Sequence, residues 1–126
     1  MTKKQFKEAL LRGQGRCIKV VQDNPDKYYS VVLWACSNEV TFDAQCEGTR
    51  AWFVYQLISF YQDKTSFLDA IITSIQKTKS DGGWKMLYLA ELLAHFVADG
   101  DKIAEQVLWS KYQELYKRLK ARKKSP

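Results

Sequence analysis

The chain has 126 residues, of which 46% are hydrophobic and 13% aromatic, and it carries a formal net charge of +6. This length suits one domain with a core of its own, and the scarcity of Gly and Pro argues against disorder. No apolar run approaches the roughly 20 residues of a membrane span, and the first residues lack the apolar segment of a secretion signal. We therefore expect a cytoplasmic protein with no membrane partner.

Helical periodicity predicts an all-α chain of about six or seven helices. Thr2 can cap the first helix and Gly13 can end it, while Asn24 and Pro25 together mark a later helix start. In chain order, the predicted helices span residues 3–12, 16–22, 25–37, 46–61, 65–76, 84–97 and 101–119. We expect residues 1–120 to form one helical-repeat domain and residues 121–126 to be a basic, mobile tail.

The fourth predicted helix, CEGTRAWFVYQLISFY at residues 46–61, is the central element of this interpretation. Between Ala51 and Tyr61 only Gln56 and Ser59 are strongly polar. A helix that is apolar almost all round needs neighbours on nearly every face, so we expect it to be buried. The loop before it, residues 39–45, is the longest connection between strong helices and a candidate surface for function.

A short repeat accompanies these helices. The dipeptide Asp-Lys occurs at 26–27, 63–64 and 101–102, each time at a predicted helix start. The spacing of 37 and 38 residues is typical of stacked helical hairpins.

With this arrangement, residues 24–120 resemble the HEAT-like family of α-α superhelical repeats, with residues 3–22 as an irregular capping hairpin. The stretch DAQCEGTRAW, residues 43–52, also resembles a segment of uncharacterised bacterial helical-repeat proteins. The resemblance implies an α-α superhelix that serves as a binding scaffold. One branch of the family, the alkylpurine DNA glycosylases, holds DNA on its concave surface, but we find none of its catalytic motifs in this chain.

In such a stack the second helices of successive hairpins share one surface, so their polar stripes are compared at a common offset of 36 residues. This comparison aligns Thr49, Trp52, Tyr55, Gln56, Ser59 and Asp63 with Lys85, Tyr88, Glu91, Leu92, His95 and Asp99. The candidate binding groove consists of Trp52, Tyr55, Gln56, Tyr88, Glu91 and His95, with Asp43, Glu47 and Arg50 at one end. The alternative is that Trp52 and Tyr55 are core aromatics and that the remaining positions form a solvated face.

Two further residues raise the question of catalysis. His95 is the only histidine, with Glu91 and Asp99 four residues to either side, but no nucleophile or metal-ligand set accompanies it. Cys46 lies at a helix N-terminus, which lowers a thiol pKa, although the adjacent Glu47 opposes that effect. We expect no catalytic residues, no metal and no cofactor, and we expect the cysteines to be free, buried thiols.

The excess of positive charge lies in the C-terminal region. Residues 1–110 hold 13 Lys plus Arg and 13 Asp plus Glu, whereas residues 111–126 hold seven basic residues and one Glu. The candidates for phosphate contacts are Lys117, Arg118, Lys120, Arg122, Lys123 and Lys124. The alternative is a solvated helix end whose basic residues are favoured by the helix dipole.

The resulting prediction is a module that binds a protein or a peptide through the second helices of its repeats. Nucleic-acid binding through the basic C-terminus, glycosylase-like or non-specific, is the second choice. Self-association through an exposed end of the array is a third possibility.

Overall fold

The computed structural model describes residues 2–38, 47–77 and 84–124, and within these ranges it contains helices and no strand. The seven helices are α1 (Lys3–Leu11), α2 (Arg16–Asp23), α3 (Pro25–Cys36), α4 (Glu47–Ile58), α5 (Thr65–Lys77), α6 (Trp84–Asp99) and α7 (Lys102–Lys124). The predicted all-α fold of packed helical hairpins is therefore confirmed. Of these helices, none combines the length and the apolarity that a bilayer span requires.

Local sequence explains several helix ends. The Thr2 hydroxyl accepts a hydrogen bond from the Gln5 amide at 3.1 Å, and the Gln5 side chain accepts one from the Thr2 amide at 2.9 Å. This reciprocal pair is a capping box, which satisfies two amides that have no partner inside the helix. Pro25 occupies the start of α3, as predicted, but the Asn24 side chain makes no capping hydrogen bond.

The helices form two layers whose order follows the chain. Odd-numbered helices pack in the order α1, α3, α5, α7, and even-numbered helices pack in the order α2, α4, α6. The first layer thus has four of the described helices and the second layer has three. Buried side chains from all seven helices form one apolar cluster, which contains Phe6, Val21, Val32, Leu57, Ile71, Leu92 and Leu108 among others.

The starts of the odd-numbered helices are joined to one another at one edge of the array. The Tyr61 hydroxyl donates to the Pro25 carbonyl at 2.8 Å, and the Lys64 ammonium lies 3.1 Å from the Asp101 carboxylate. Asp101 also accepts a hydrogen bond from the Ala104 amide at 3.1 Å, which caps α7. Two of the three Asp-Lys dipeptides therefore meet here, where they connect successive hairpins.

Helix α4 is shorter than predicted and ends at Ile58 rather than at residue 61. Tyr61 instead bonds the Pro25 carbonyl and packs on Phe67, with ring centroids 4.8 Å apart. These tertiary contacts stabilise Tyr61 outside the helix more than another helical turn would.

Helix α7 is longer than expected, because it continues past residue 119 to Lys124. Residues 112–124 contain neither Gly nor Pro and are rich in Gln, Glu, Leu, Lys, Arg and Ala, which are good helix formers. Residues 121–124, expected in the mobile tail, are therefore helical.

Candidate functional site

The outward face of α4 carries the stripe that the sequence singles out. Thr49 and Trp52 are exposed, and Tyr55, Gln56 and Ser59 are half-buried. The opposite side of the helix, which holds Ala51, Phe53, Val54, Leu57 and Ile58, is buried in the core. With 43% of its surface exposed, Trp52 is not a core aromatic.

Tyr55 connects this face of α4 to α6. Its ring stacks on His95, with centroids 4.8 Å apart and planes inclined by 16°, and it meets Phe96 edge-on at 5.2 Å. Its hydroxyl donates a hydrogen bond to the Asp99 carboxylate at 2.5 Å. We call Tyr55, His95 and Asp99 the seam cluster, because they lie where α4 and α6 meet.

Tyr55, the tyrosine of the seam cluster, is not ionised at neutral pH. Burial raises the pKa of Tyr55 to about 12, and the hydrogen bond to Asp99 and its negative charge act in the same direction. The phenol therefore stays protonated and donates a hydrogen bond. In this state it fixes the orientation of α4 against α6.

On α6 the structure separates the candidate residues into two groups. Glu91 and His95 are half-buried on the side of the helix that faces α4. Tyr88 is fully buried, so it does not line an exposed groove. The offset of 36 residues aligns Tyr88 with the exposed Trp52, which means that the two helices do not present equivalent positions to solvent.

The charged end proposed for the groove is only partly described. Asp43, Cys46 and the loop at 39–45 lie outside the described residues. Glu47 begins α4, but its side chain is not described, and Arg50 is half-buried in the first turn. Of this charged end, the structure therefore describes the side chain of Arg50 alone.

Sequence reasoning missed an apolar surface on the other side of α6. Leu87, Ala94, Val97 and Ala98 are exposed, with Leu87 at 52% and Val97 at 47%. A groove of about 540 Å³ runs between α6 and α7, lined by Ala90, Leu93, Ala94, Val97, Ala98, Trp109 and Tyr112. We call it the α6–α7 groove. The available signal was the absence of polar residues from this side of α6.

Helix α7 contributes an aromatic wall to this groove. Trp109 and Tyr112 stack with ring centroids 5.7 Å apart, and 48% of the Trp109 surface is exposed. Tyr116 is one turn further along, and the Lys120 ammonium lies 5.8 Å from the centre of its ring. At the other end of the groove, Lys102, Glu105 and Gln106 form a polar margin.

The basic side chains that are described at the end of α7 do not form a single charged face. Lys117, Arg118 and Lys120 are exposed, and Arg118 donates to the Glu114 carboxylate at 2.7 Å. The side chains of Arg122, Lys123 and Lys124 lie outside the described part. Because consecutive helical residues point about 100° apart, Lys117 and Arg118 lie on different sides of the helix rather than in one stripe.

Cys17 is a free thiol, and both Cys17 and Cys36 are buried. Burial raises the pKa of the Cys17 thiol to about 11, so it is protonated and unreactive at neutral pH. In the described ranges, no group of three or more His, Cys, Asp or Glu side chains could hold a metal ion.

We compared the chain with protein-family models, with curated proteins and with solved structures, and found no match.

Proposed function

We propose that the protein is a HEAT-like helical-repeat module that binds another protein or a peptide through the outward surface of its second layer. The proposal is supported by the exposed aromatic and aliphatic side chains on α4 and α6. Single exposed apolar residues are common on protein surfaces, but contiguous apolar patches usually mark interaction sites. Trp52 lies on one side of the seam cluster, and Leu87 and Val97 lie on α6 beyond it.

The observation that carries the proposal is the uncovered apolar side of α6. A helix that is apolar all round is normally covered by neighbours on every side. Full burial of a Leu or Val side chain contributes roughly 1.5–3 kcal/mol. Leu87 and Val97 are each about half exposed, so a partner that covers them would gain about 1 kcal/mol from each.

The same proposal assigns the protein to the cytoplasm. Its support is that Cys17 is a free, buried thiol, which is typical of proteins in reducing compartments.

Site-specific photo-crosslinking in the source cell tests the function. Replacing Trp52 or Leu87 with p-benzoylphenylalanine should yield a discrete crosslinked protein or peptide. The matched control replaces Thr73, which is exposed on α5 in the first layer, and should yield none. Equal crosslinking from Thr73, or no product from either second-layer position, contradicts the proposal.

Nucleic-acid binding through the end of α7 is the second candidate, supported by the exposed Lys117, Arg118 and Lys120 on a continuous helix. Binding carried by Lys and Arg weakens steeply with salt, because counterions are released from the phosphates. It should disappear when residues 117–126 are deleted, whereas crosslinking from Trp52 should survive that deletion.

A further inference from the structure

We infer that the α6–α7 groove binds an amphipathic helix, which packs beside α6 in the place of an eighth helix of the array. We further infer that this helix runs antiparallel to α7 and carries acidic residues in its first turn, next to Lys117 and Lys120. This inference rests on the proposed function, for which it names the class of partner.

The order of the layers defines the position. Each second-layer helix packs on the one before it, so that α4 covers α2 and α6 covers α4. In the part of the chain that the structure describes, no helix covers α6 on its far side. An occupant there would contact α6 and α7 together, and α6 has 16 residues, which corresponds to a helix of about 24 Å.

The floor of the groove suits the close approach of a helix. Ala90, Ala94 and Ala98 follow one another at intervals of four residues along α6, with Leu93 and Val97 beside them. Rows of residues at this spacing form the ridges and grooves by which helices interlock. Small side chains in such a row allow the two axes to approach to about 8 Å, the lower end of the usual range.

The aromatic wall on α7 can pack against an apolar stripe on the bound helix. Trp109, Tyr112 and Tyr116 succeed one another at intervals of three and four residues, so they lie along one side of the helix. Large aromatic side chains of this kind are the usual anchors of helix-in-groove interfaces.

The charges at the two ends of the groove differ, and this difference indicates where the bound helix carries acidic residues. At one end Lys102 lies 3.4 Å from the Glu105 carboxylate, so the two charges offset each other. At the other end Glu114 forms an ion pair with Arg118, while Lys117 and Lys120 are exposed. A helix with acidic residues at this end is attracted to these two lysines.

The antiparallel direction follows from the same charges and from the hairpin arrangement. It places the N-terminus of the occupant beside Lys117 and Lys120. Acidic residues in a first turn also interact favourably with the dipole of their own helix. An acidic first turn therefore interacts favourably both with the dipole of the bound helix and with the lysines at the end of α7.

The test uses two fluorescein-labelled synthetic peptides of sixteen residues with the same leucine stripe. One peptide carries two Glu in its first turn, and the other carries them in its last turn. Anisotropy should show that the first peptide binds at least about tenfold more tightly. In the double variant Lys117→Glu, Lys120→Glu the preference should fall below about twofold, whereas the control Lys3→Glu, Lys4→Glu on α1 should retain it.

A second variant tests the groove itself. Ala94→Trp fills the groove from an exposed position and should abolish binding of both peptides without changing the circular dichroism spectrum. Equal affinity of the two peptides, or a preference that survives charge reversal at 117 and 120, overturns the inference. Sedimentation equilibrium gives a further outcome that overturns it, namely a dimer that Ala94→Trp dissociates, because the occupant would then be a second copy.

Failure of this inference is distinguishable from failure of the proposed function. If neither peptide binds but Trp52 and Leu87 still crosslink to a partner, the function stands and the occupant is of another kind. If the crosslinks are absent as well, both proposals fail.

Discussion

The ion pair between Lys64 and Asp101 allows a quantitative test of how successive hairpins are joined. The carboxylate lies 3.1 Å from the Lys64 ammonium and accepts a hydrogen bond from the Ala104 amide, also at 3.1 Å. Loss of a helix cap costs about 1 kcal/mol. The side chains are only 14% and 23% exposed, so we assign the pair about 1 kcal/mol, the upper value for surface ion pairs.

Asp101→Ala should therefore lower the free energy of unfolding by about 2 kcal/mol, and Lys64→Met by about 1 kcal/mol. The double variant should lose only about 2 kcal/mol, because the ion pair is counted once in a double-mutant cycle. Urea denaturation followed by circular dichroism measures all four proteins. A coupling energy below about 0.3 kcal/mol, the usual error of additivity, would refute the reasoning.

The same pair has a defined pH dependence. Burial alone raises the pKa of Asp101, but hydrogen bonds from the Ala104 amide and from Lys64 outweigh it, so the pKa is lowered. A carboxyl group of this kind stabilises the fold above its unfolded-state pKa, about 3.9, and loses that contribution as the pH falls through the folded value. The cost of Asp101→Ala should be fully present at pH 7 and should shrink as the pH falls below 4.

Three further predictions concern single positions. The pKa of Tyr55 is raised to about 12, so the protonated phenol contributes stability below pH 10, and this contribution is lost as the pH approaches 12. In urea titrations, the wild-type protein should therefore lose more stability than Tyr55→Phe between pH 10 and pH 12. Gly100 has a φ of 73°, so Gly100→Ala should cost about 1 kcal/mol in thermal unfolding. Gly15 has a φ of −60° and is the N-cap of α2, so for Gly15→Ala the gain from a less flexible unfolded chain is offset by the poorer cap, and stability should change by less than about 0.5 kcal/mol. In a Cys46→Ala background, Cys17 should react with a thiol reagent only after unfolding, and rapid native labelling would contradict its burial.

Part of the candidate surface could be predicted from the sequence because one side of α4 differs clearly from the other. Aliphatic and aromatic core residues occupy its inner side, while Thr49, Gln56 and Ser59 mark the outer side. This pattern is enough to identify the exposed face. The contact of Tyr55 with Asp99 was not predictable in the same way, because the residues are 44 positions apart and meet only when α4 packs on α6.

Helix α6 shows where a sequence pattern stops being informative. Its apolar residues surround the axis, so helical periodicity does not select which side faces the core. Tyr88 and Trp52 are both aromatic residues with a polar atom, yet one is buried and the other is 43% exposed. The packing of α6 against α4 and α7 determines which side is buried, and it leaves Leu87 and Val97 about half exposed.

The alternating order of the two layers also bears on synthesis of the chain. Each helix finds its main packing partners among helices made one or two positions earlier, as α3 does with α1 and α4 does with α2. Contacts of short sequence separation form quickly, and chains emerge from the ribosome N-terminal end first. The earlier helices can thus pack as they emerge, whereas the exposed apolar side of α6 emerges late in synthesis, so nascent chains stalled between α6 and α7 should be the species most prone to aggregation.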